Sequence, residues 1–334
     1  MFIAKDLSQF KNLFVSKLKS MLSDDELGAY ILVLANSLQD EYLKNSLHTD
    51  LKNNFIRLKE NYLAGTLKAT EDDIAVFERL LEMDVDVLPV WESKQVGGWM
   101  VFYNIMRQLR PARASSQALD SIIQDFDENK FHFNKSFLKP EILWEGEYKA
   151  KNVRVLYNKF PFADYHLLIV VSPELTHAQV LNEELHHYIY SLVQNENQVL
   201  PGFGIGFNSL AAGASVNHLH FQGFICEQPF GIEAIDDDSF PLEVNCCASS
   251  ESAWKKIVLL LQNDIAFNCL YLKGKCYVVP RSYQGSVDLP EWLDGAGWID
   301  VAGVMTVSDE ETFHSLSESS IGNALSLLSI ETTK

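Results

Sequence analysis

The chain has 334 residues, 47% hydrophobic and 22% charged, the composition of about two soluble globular domains with a sizeable core. Its 27 Lys and Arg against 45 Asp and Glu leave a formal charge of −18. That balance excludes a surface built on clustered cations for a nucleic-acid backbone or an anionic bilayer.

The N-terminal stretch MFIAKDLSQF lacks the basic-then-apolar pattern of a signal peptide, and the longest apolar runs fall far short of the roughly 20 residues that span a bilayer. Five cysteines, none spaced C-x-x-C, argue against a disulfide framework or a four-cysteine zinc site. They read as reduced thiols, and the expected location is cytoplasmic.

Residues 1–85 read as helices. Phe10, Phe14, Leu18 and Met21 recur at helical spacing, Ser23 with Glu26 has capping-box form, and Thr70 opens a pattern through Ile74, Phe77 and Leu80. Beyond residue 85, strand-like runs are expected at 130–133, 153–156, 166–171, 204–207 and 218–225, with a helix over 181–193 between them. A hairpin is expected from 267–272 and 276–279 around a Lys-Gly-Lys turn. A further run covers 298–307, and a helix follows Ser308, with Glu311 completing a capping box. Such strands with interspersed helices predict an α+β fold. Gly202, Gly204 and Gly206 are spaced G-x-G-x-G and open no helix, so a dinucleotide fold is not expected.

Reactive residues are densest at 208–222, NSLAAGASVNHLHFQ. As a strand, 218–222 would point His218, His220 and Gln222 to one face and Leu219 and Phe221 to the other. The small residues of 211–215 let backbone N–H groups approach an anion, and Asn208, Ser209, Ser215 and Asn217 add neutral donors. Two imidazoles and an amide beside such a loop suit nucleotidyl transfer through a covalent histidine, the anionic transition state being stabilised by fixed donors. Metal binding and an incidental histidine pair remain as alternatives. Gln222 is a poor third ligand. His166 and His177 read as structural, with contact to the site as the alternative, and His186 and His187 as surface residues. Residues 107–154 hold nine basic side chains against seven acidic, including Arg107, Arg110, Arg113, Lys130, Lys135 and Lys139. They are either a phosphate-facing rim or ordinary surface charge.

The run GFNSL…GASVNHLHFQ resembles the transferase branch of the histidine-triad (HIT-like) superfamily, which includes galactose-1-phosphate uridylyltransferase and the dinucleoside tetraphosphate phosphorylases. It is most similar to the GDP-hexose phosphorylases (GDP-L-galactose and GDP-D-glucose phosphorylase). DFDENKFHFNK at 125–135, QPFGIEA at 228–234 and the hairpin at 267–280 extend the likeness over about residues 97–320. Ala211 stands where that family has a glycine, and His132 where it commonly has Asn.

The resemblance implies a HIT-like antiparallel sheet with two related halves. Residues 1–85 would form the helical N-terminal region, 86–232 the catalytic half with the HxHxQ motif, and 233–334 the second half. It implies cleavage of a GDP-hexose by phosphate to GDP and hexose 1-phosphate through a GMP-histidine. His220 would be the nucleophile, His218 its support, and Gln222 a phosphate donor. Asn208, Ser209, Gly213, Ser215, Asn217 and Lys135 would contact substrate or phosphate. The expected partners are a nucleotide sugar and inorganic phosphate, with no nucleic acid or membrane, and homodimerisation is left open. No cofactor and no metal are expected, since the paired cysteines some uridylyltransferases use for zinc are missing. The alternatives are a diadenosine tetraphosphate-type phosphorylase or adenylyltransferase, and a catalytically silent nucleotide-binding regulator.

Overall fold

A computed structural model describes residues 1–24, 26–110, 119–234, 239–293 and 295–330. Arg113 and the acidic run 236–238, which reads from sequence as a solvated turn with a guanine-facing group as the alternative, lie outside these residues. Four helices open the chain: α1 (Leu7–Met21), α2 (Leu27–Ser37), α3 (Glu41–Leu63) and α4 (Glu71–Leu81). Asp6, Asp40 and Thr70 cap α1, α3 and α4 by accepting backbone N–H groups. The expected Ser23–Glu26 box does not form. Glu26 itself precedes α2 without a side-chain cap, and Ser23 donates its hydroxyl back to the Ser20 carbonyl.

Next come β1 (Glu92–Val96), β2 (Trp99–Tyr103), β3 (Ile142–Tyr148), β4 (Lys151–Tyr157), β5 (Leu167–Val171), α5 (Glu183–Glu196), β6 (Phe203–Asn208), β7 (Phe221–Ile225) and the short α6 (Gly231–Ala234). They are followed by β8 (Asn245–Cys247), α7 (Ser250–Gln262), β9 (Phe267–Leu272), β10 (Lys275–Pro280), α8 (Trp298–Val301), β11 (Val304–Val307), α9 (Glu310–Ser315) and α10 (Glu318–Ser326). The hairpin expected at 267–279 is β9–β10. Residues 130–133 are not a strand but turns, and 298–307 is a helical turn followed by a strand. Asp309, not Ser308, caps α9.

Eight strands form one sheet in the order β3-β4-β5-β7-β6-β9-β10-β8, every neighbouring pair antiparallel. The order contains a repeat. β5-α5-β6-β7 and β8-α7-β9-β10 are the same β-α-β-β unit, and the two meet back to back at β6 and β9. Asn208 pairs with Asn268 across this junction, Phe207 with Cys269 and Ile205 with Tyr271, the register of a local two-fold. The halves differ in one decisive place. β9 and β10 are joined by the tight turn 273–274, whereas β6 and β7 are joined by 209–220, which carries the histidines. A smaller sheet, β1-β2-β11, pairs β11 parallel to β2 and joins chain from both sides of residue 233.

Alternation along the strands divides the large sheet's two faces. Val153, Val155 and Tyr157 of β4, Leu167 and Ile169 of β5, and Ile205 and Phe207 of β6 are buried in the main core with α1–α5 and α7. Phe10 and Phe14 of α1 pack edge-on against Tyr157 and Tyr165, and Tyr157 donates its hydroxyl to the Phe14 carbonyl at 2.7 Å. Fully burying each such aromatic is worth about 1.5–3 kcal/mol. The opposite face bears Leu156, Leu168, Gln222, Gly206 and Phe224, and packs against Trp298 and the small sheet. Among the described residues no helix is long and apolar enough to cross a membrane, and no group of three or more His, Cys, Asp or Glu side chains could hold a metal ion.

Candidate active site

On that second face lies a cavity of about 370 Å³. Its floor follows the register: Gln222, Leu168 and Leu156 are consecutive cross-strand neighbours on β7, β5 and β4. His220, just ahead of β7, is in its wall, with Asn208, Gly213, Ser215, Gly297 and Asp300 around it.

The imidazole of His220 is held in one tautomer. Its Nδ1–H donates to the backbone carbonyl of His218 at 2.8 Å, leaving the Nε2 lone pair for the cavity the residue lines. Burial lowers its pKa to about 4, so the ring is neutral and nucleophilic near pH 7. The backbone on either side is clamped by Gln179. Its Oε1 accepts the His220 N–H at 2.9 Å, and its Nε2 donates to the Asn208 carbonyl at 2.8 Å.

His218 is fully buried, and its ring is absent from the cavity lining. Its Nδ1 accepts the Phe133 N–H at 3.1 Å, and the ring packs among Phe126, His132 and Phe133. The expected alternation therefore fails at 218, because residues 218–220 precede the hydrogen-bonded strand. The backbone of His218 orients His220, while its side chain anchors the 126–133 turn. Its pKa is also lowered to about 4, by burial and then the neighbouring His220.

Gln222 is fixed from two sides. Its Oε1 accepts the indole N–H of Trp298 at 2.9 Å and is 3.0 Å from His166 Nε2. Because Phe162 N–H donates to His166 Nδ1, the His166 proton lies on Nε2 and points to the same oxygen. With its oxygen occupied, the Gln222 amide is left to present its NH₂ as a donor to the cavity it lines. His166 is thus tied to the site, neutral, with burial lowering its pKa to about 3. Trp298 stacks on Phe224 with ring centroids 4.8 Å apart and lies over Gly206, where a Cβ would come 2.1 Å from the indole. Closeness to Trp298, not to a nucleotide phosphate, is what requires glycine at 206.

The remaining expected residues divide. Asn208 lines the cavity, and its Oδ1 accepts Trp298 N–H and Asn268 Nδ2–H, each at 2.7 Å. Gly213, at φ +100°, and Ser215 also line it. Ser209 does not. Its hydroxyl accepts Phe267 N–H at 3.0 Å and closes the β6–β9 junction. Asn217 accepts Gln179 N–H and donates to the carbonyls of Gln124 and Asp125, which makes it a support two steps from the cavity. Lys135 donates to the Glu128 carbonyl and borders a separate groove with Lys17, Lys139 and Arg154. The cations lining the cavity are Arg107, Arg110 and Lys159. His186 is buried, not on the surface, between Tyr271 and the Ser250 carbonyl. Ala211 has φ +60°, a left-handed conformation favouring glycine, which accounts for the related motif's glycine there.

Gln179, Trp298 and Asn268 carried no signal in the sequence, since each reaches the site only through folding. A neutral, oriented imidazole beside an amide NH₂ and lining cations can attack phosphorus and stabilise the charge on its oxygens.

Residues 82–224 match the model of the "GDPGP1-like, N-terminal domain" family. The chain is 35% identical over 158 residues to GDP-D-glucose phosphorylase 1 of Danio rerio, covering 47% of this chain and 43% of that protein. It is 30% identical to the Homo sapiens protein of the same name (46% and 40%) and 24% identical to GDP-L-galactose phosphorylase 1 of Arabidopsis thaliana (66% and 60%). The aligned stretch thus spans about two fifths of the length of the GDP-D-glucose phosphorylases. Yeast Ap4A phosphorylase Apa2, solved with Ap4A, superposes with a TM-score of 0.52 at 18% identity, over 73% of this chain and 91% of that one. The fold is the HIT-like α+β arrangement.

Proposed function

We propose that this chain, whose residues 82–224 match the GDPGP1-like, N-terminal domain family, is a nucleotidyltransferase that cleaves a GDP-hexose with inorganic phosphate. The observation that carries the reading is the neutral His220, its Nδ1–H tied to the His218 carbonyl and its Nε2 left for the cavity. The matched GDP-hexose phosphorylases support the substrate class.

In the first step His220 Nε2 attacks the α-phosphorus and hexose 1-phosphate leaves with the bridging oxygen. In the second, an oxygen of inorganic phosphate attacks the same phosphorus, the P–N bond breaks, and GDP forms. The Nδ1–H stays on its carbonyl throughout and stabilises the charge on the phosphorylated ring. Gln222, with Asn208, donates to the α-phosphate oxygens. Because Gln222 is a neutral amide with its oxygen already occupied, it cannot activate water, which favours interception by phosphate. In this reading residues 1–85 buttress the site, 86–232 carry it and 233–334 supply the related second half. The place of action is the cytoplasm.

Substituting His220→Asn in a folded protein is expected to lower GDP-glucose phosphorolysis by at least about 10³-fold. Incubating wild type with GDP-glucose labelled in the α-phosphate should trap an acid-labile, base-stable adduct that the variant lacks. Full activity in His220→Asn removes the mechanism. Tight nucleotide binding with no adduct supports a silent regulator, and turnover of diadenosine tetraphosphate in preference to GDP-sugars supports the adenylyl alternative.

A further inference from the structure

The cavity has two chemically distinct ends. Around His220 and Gln222 the walls are small and polar, with Asn208, Gly213, Ser215 and Gly297. Away from them the lining is apolar and aromatic, with Phe137, Leu138 and Leu156, the last two strands from Gln222, while Phe133 bridges the two regions, its ring centroid 4.9 Å from that of His220. Glu141 is set into this second end, immediately ahead of β3. β3 is three strands from β7 in the sheet, so Glu141 stands roughly 14 Å from the Gln222 position at about 4.8 Å per strand. The distance separates a base from the phosphorus that reacts, not two groups on one phosphate.

Two carboxyl groups line the cavity among the described residues, Glu141 and Asp300. Asp300 is engaged, accepting the Gly297 N–H at 2.8 Å at the start of α8. Glu141 is half-buried, yet its carboxyl accepts no hydrogen bond from any described residue. Lys159, the cation whose charge bears on Glu141, donates to Asp73 of α4 at 2.5 Å instead. A carboxylate held in an apolar wall without donors is costly, and a ligand bringing two N–H groups removes that cost.

We infer that Glu141 reads the base: its carboxylate accepts the N1–H and N2–H of a guanine laid between the apolar walls. The assignment rests on the reading of the cavity as a nucleotide site. Adenine offers an acceptor at its N1 edge, which a carboxylate repels, and hypoxanthine offers one donor in place of two. Selection is thus exerted by mispairing as well as by contact.

Binding of GMP, IMP and AMP, followed by titration calorimetry on wild type and on Glu141→Gln, tests this without turnover. Wild type is expected to bind GMP about 10- to 100-fold more tightly than AMP, with IMP between, the span of one bidentate contact. Glu141→Gln, which also removes a buried charge and so should fold, is expected to lose most of that preference by weakening GMP.

Burial raises the empty Glu141 carboxyl to about 7, opposed by Lys159 and reinforced by Asp73; Arg107, Arg110 and Asp300 are the other charges lining the cavity among the described residues. The charged form is the one that binds guanine. The GMP-to-AMP affinity ratio should therefore fall as pH is lowered through about 7 in wild type and stay flat in the variant. The ratio cancels the titration of the nucleotide phosphate. Equal affinity for GMP and AMP in wild type, or an unaltered preference in Glu141→Gln, overturns the assignment. A retained GMP preference without phosphorolysis of any GDP-sugar instead defeats only the phosphorylase reading.

Discussion

At the scale of single residues, the site depends on which atoms are already taken. His220 has spent Nδ1–H on a carbonyl, and Gln222 has spent its oxygen on Trp298 and His166, so what each shows the cavity follows by subtraction. Trp298→Phe tests this economy. Phenylalanine keeps the stacking on Phe224 but removes the indole donor, so the Gln222 amide is held by His166 alone. The expected result is a drop of roughly tenfold in kcat for GDP-glucose phosphorolysis, larger than the rise in KM, with about 1 kcal/mol of stability lost in urea melts. A packing role alone would move the melt and leave kcat in place. HxHxQ could be read as a site from residue types, but the separate duties of its two histidines could not. Both are buried imidazoles, and only their partners, a carbonyl for His220 and the Phe133 N–H for His218, tell them apart.

Among the elements, a common β-α-β-β unit occurs twice, and only one copy has a long connection between its last two strands. In the proposed reading that difference makes one half chemical and leaves the other as scaffold. The two are welded by the Asn208–Asn268 pair and by α8, whose first residue packs on β6. Gly206→Ala is the sharpest probe of the weld. Its Cβ would overlap the Trp298 ring at 2.1 Å, and overpacking of this kind costs about 1–3 kcal/mol. A thermal melt lowered by several degrees, accompanied by weakened Trp298 positioning and lower kcat, is the expected outcome. An unchanged melt and rate would mean the ring is free to move away. The β9–β10 hairpin was legible because a Lys-Gly-Lys turn between two apolar strands is a local signal. Residues 130–133 were misread as a strand because alternating aromatic residues carry the same pattern whether or not a partner strand is available.

For the molecule as a whole, the helical N-terminal region is part of the main core and also reaches the cavity: Asp73 holds Lys159, and Asn36 donates to the Asn158 carbonyl at 2.9 Å. Four of the buried imidazoles, His166, His186, His218 and His220, give the molecule its acid response. Burial lowers His166 to about 3 and His186, His218 and His220 to about 4, against 6.5 for an exposed ring. With folded values below unfolded ones, the unfolded chain takes up protons first. Their contribution is complete above pH 6.5 and is lost as pH falls from there toward 4. Asp164, raised to about 6, Glu141, raised to about 7, and Glu196, raised by burial, act in the opposite sense, but they are three against four. The denaturant midpoint is expected to fall between pH 7 and pH 5, with a loss on the order of a few kcal/mol. A midpoint that rises on acidification would place the balance with the carboxyls.

The sequence by itself determined the mixed α+β class, the helical start, the hairpin after residue 267 and the concentration of chemistry at 208–222, because each is written in local spacing and residue type. The tertiary structure alone decided that Ser209, Asn217 and Lys135 stand off the cavity, that His166 and Trp298 aim Gln222, and that Glu141 faces an apolar slot. These depend on strand register and on loops closing from distant parts of the chain: residues 141, 166, 222 and 298 meet on one sheet face only once the strands have paired. Periodicity can say which side of its own strand a residue occupies, but not which strand will lie beside it.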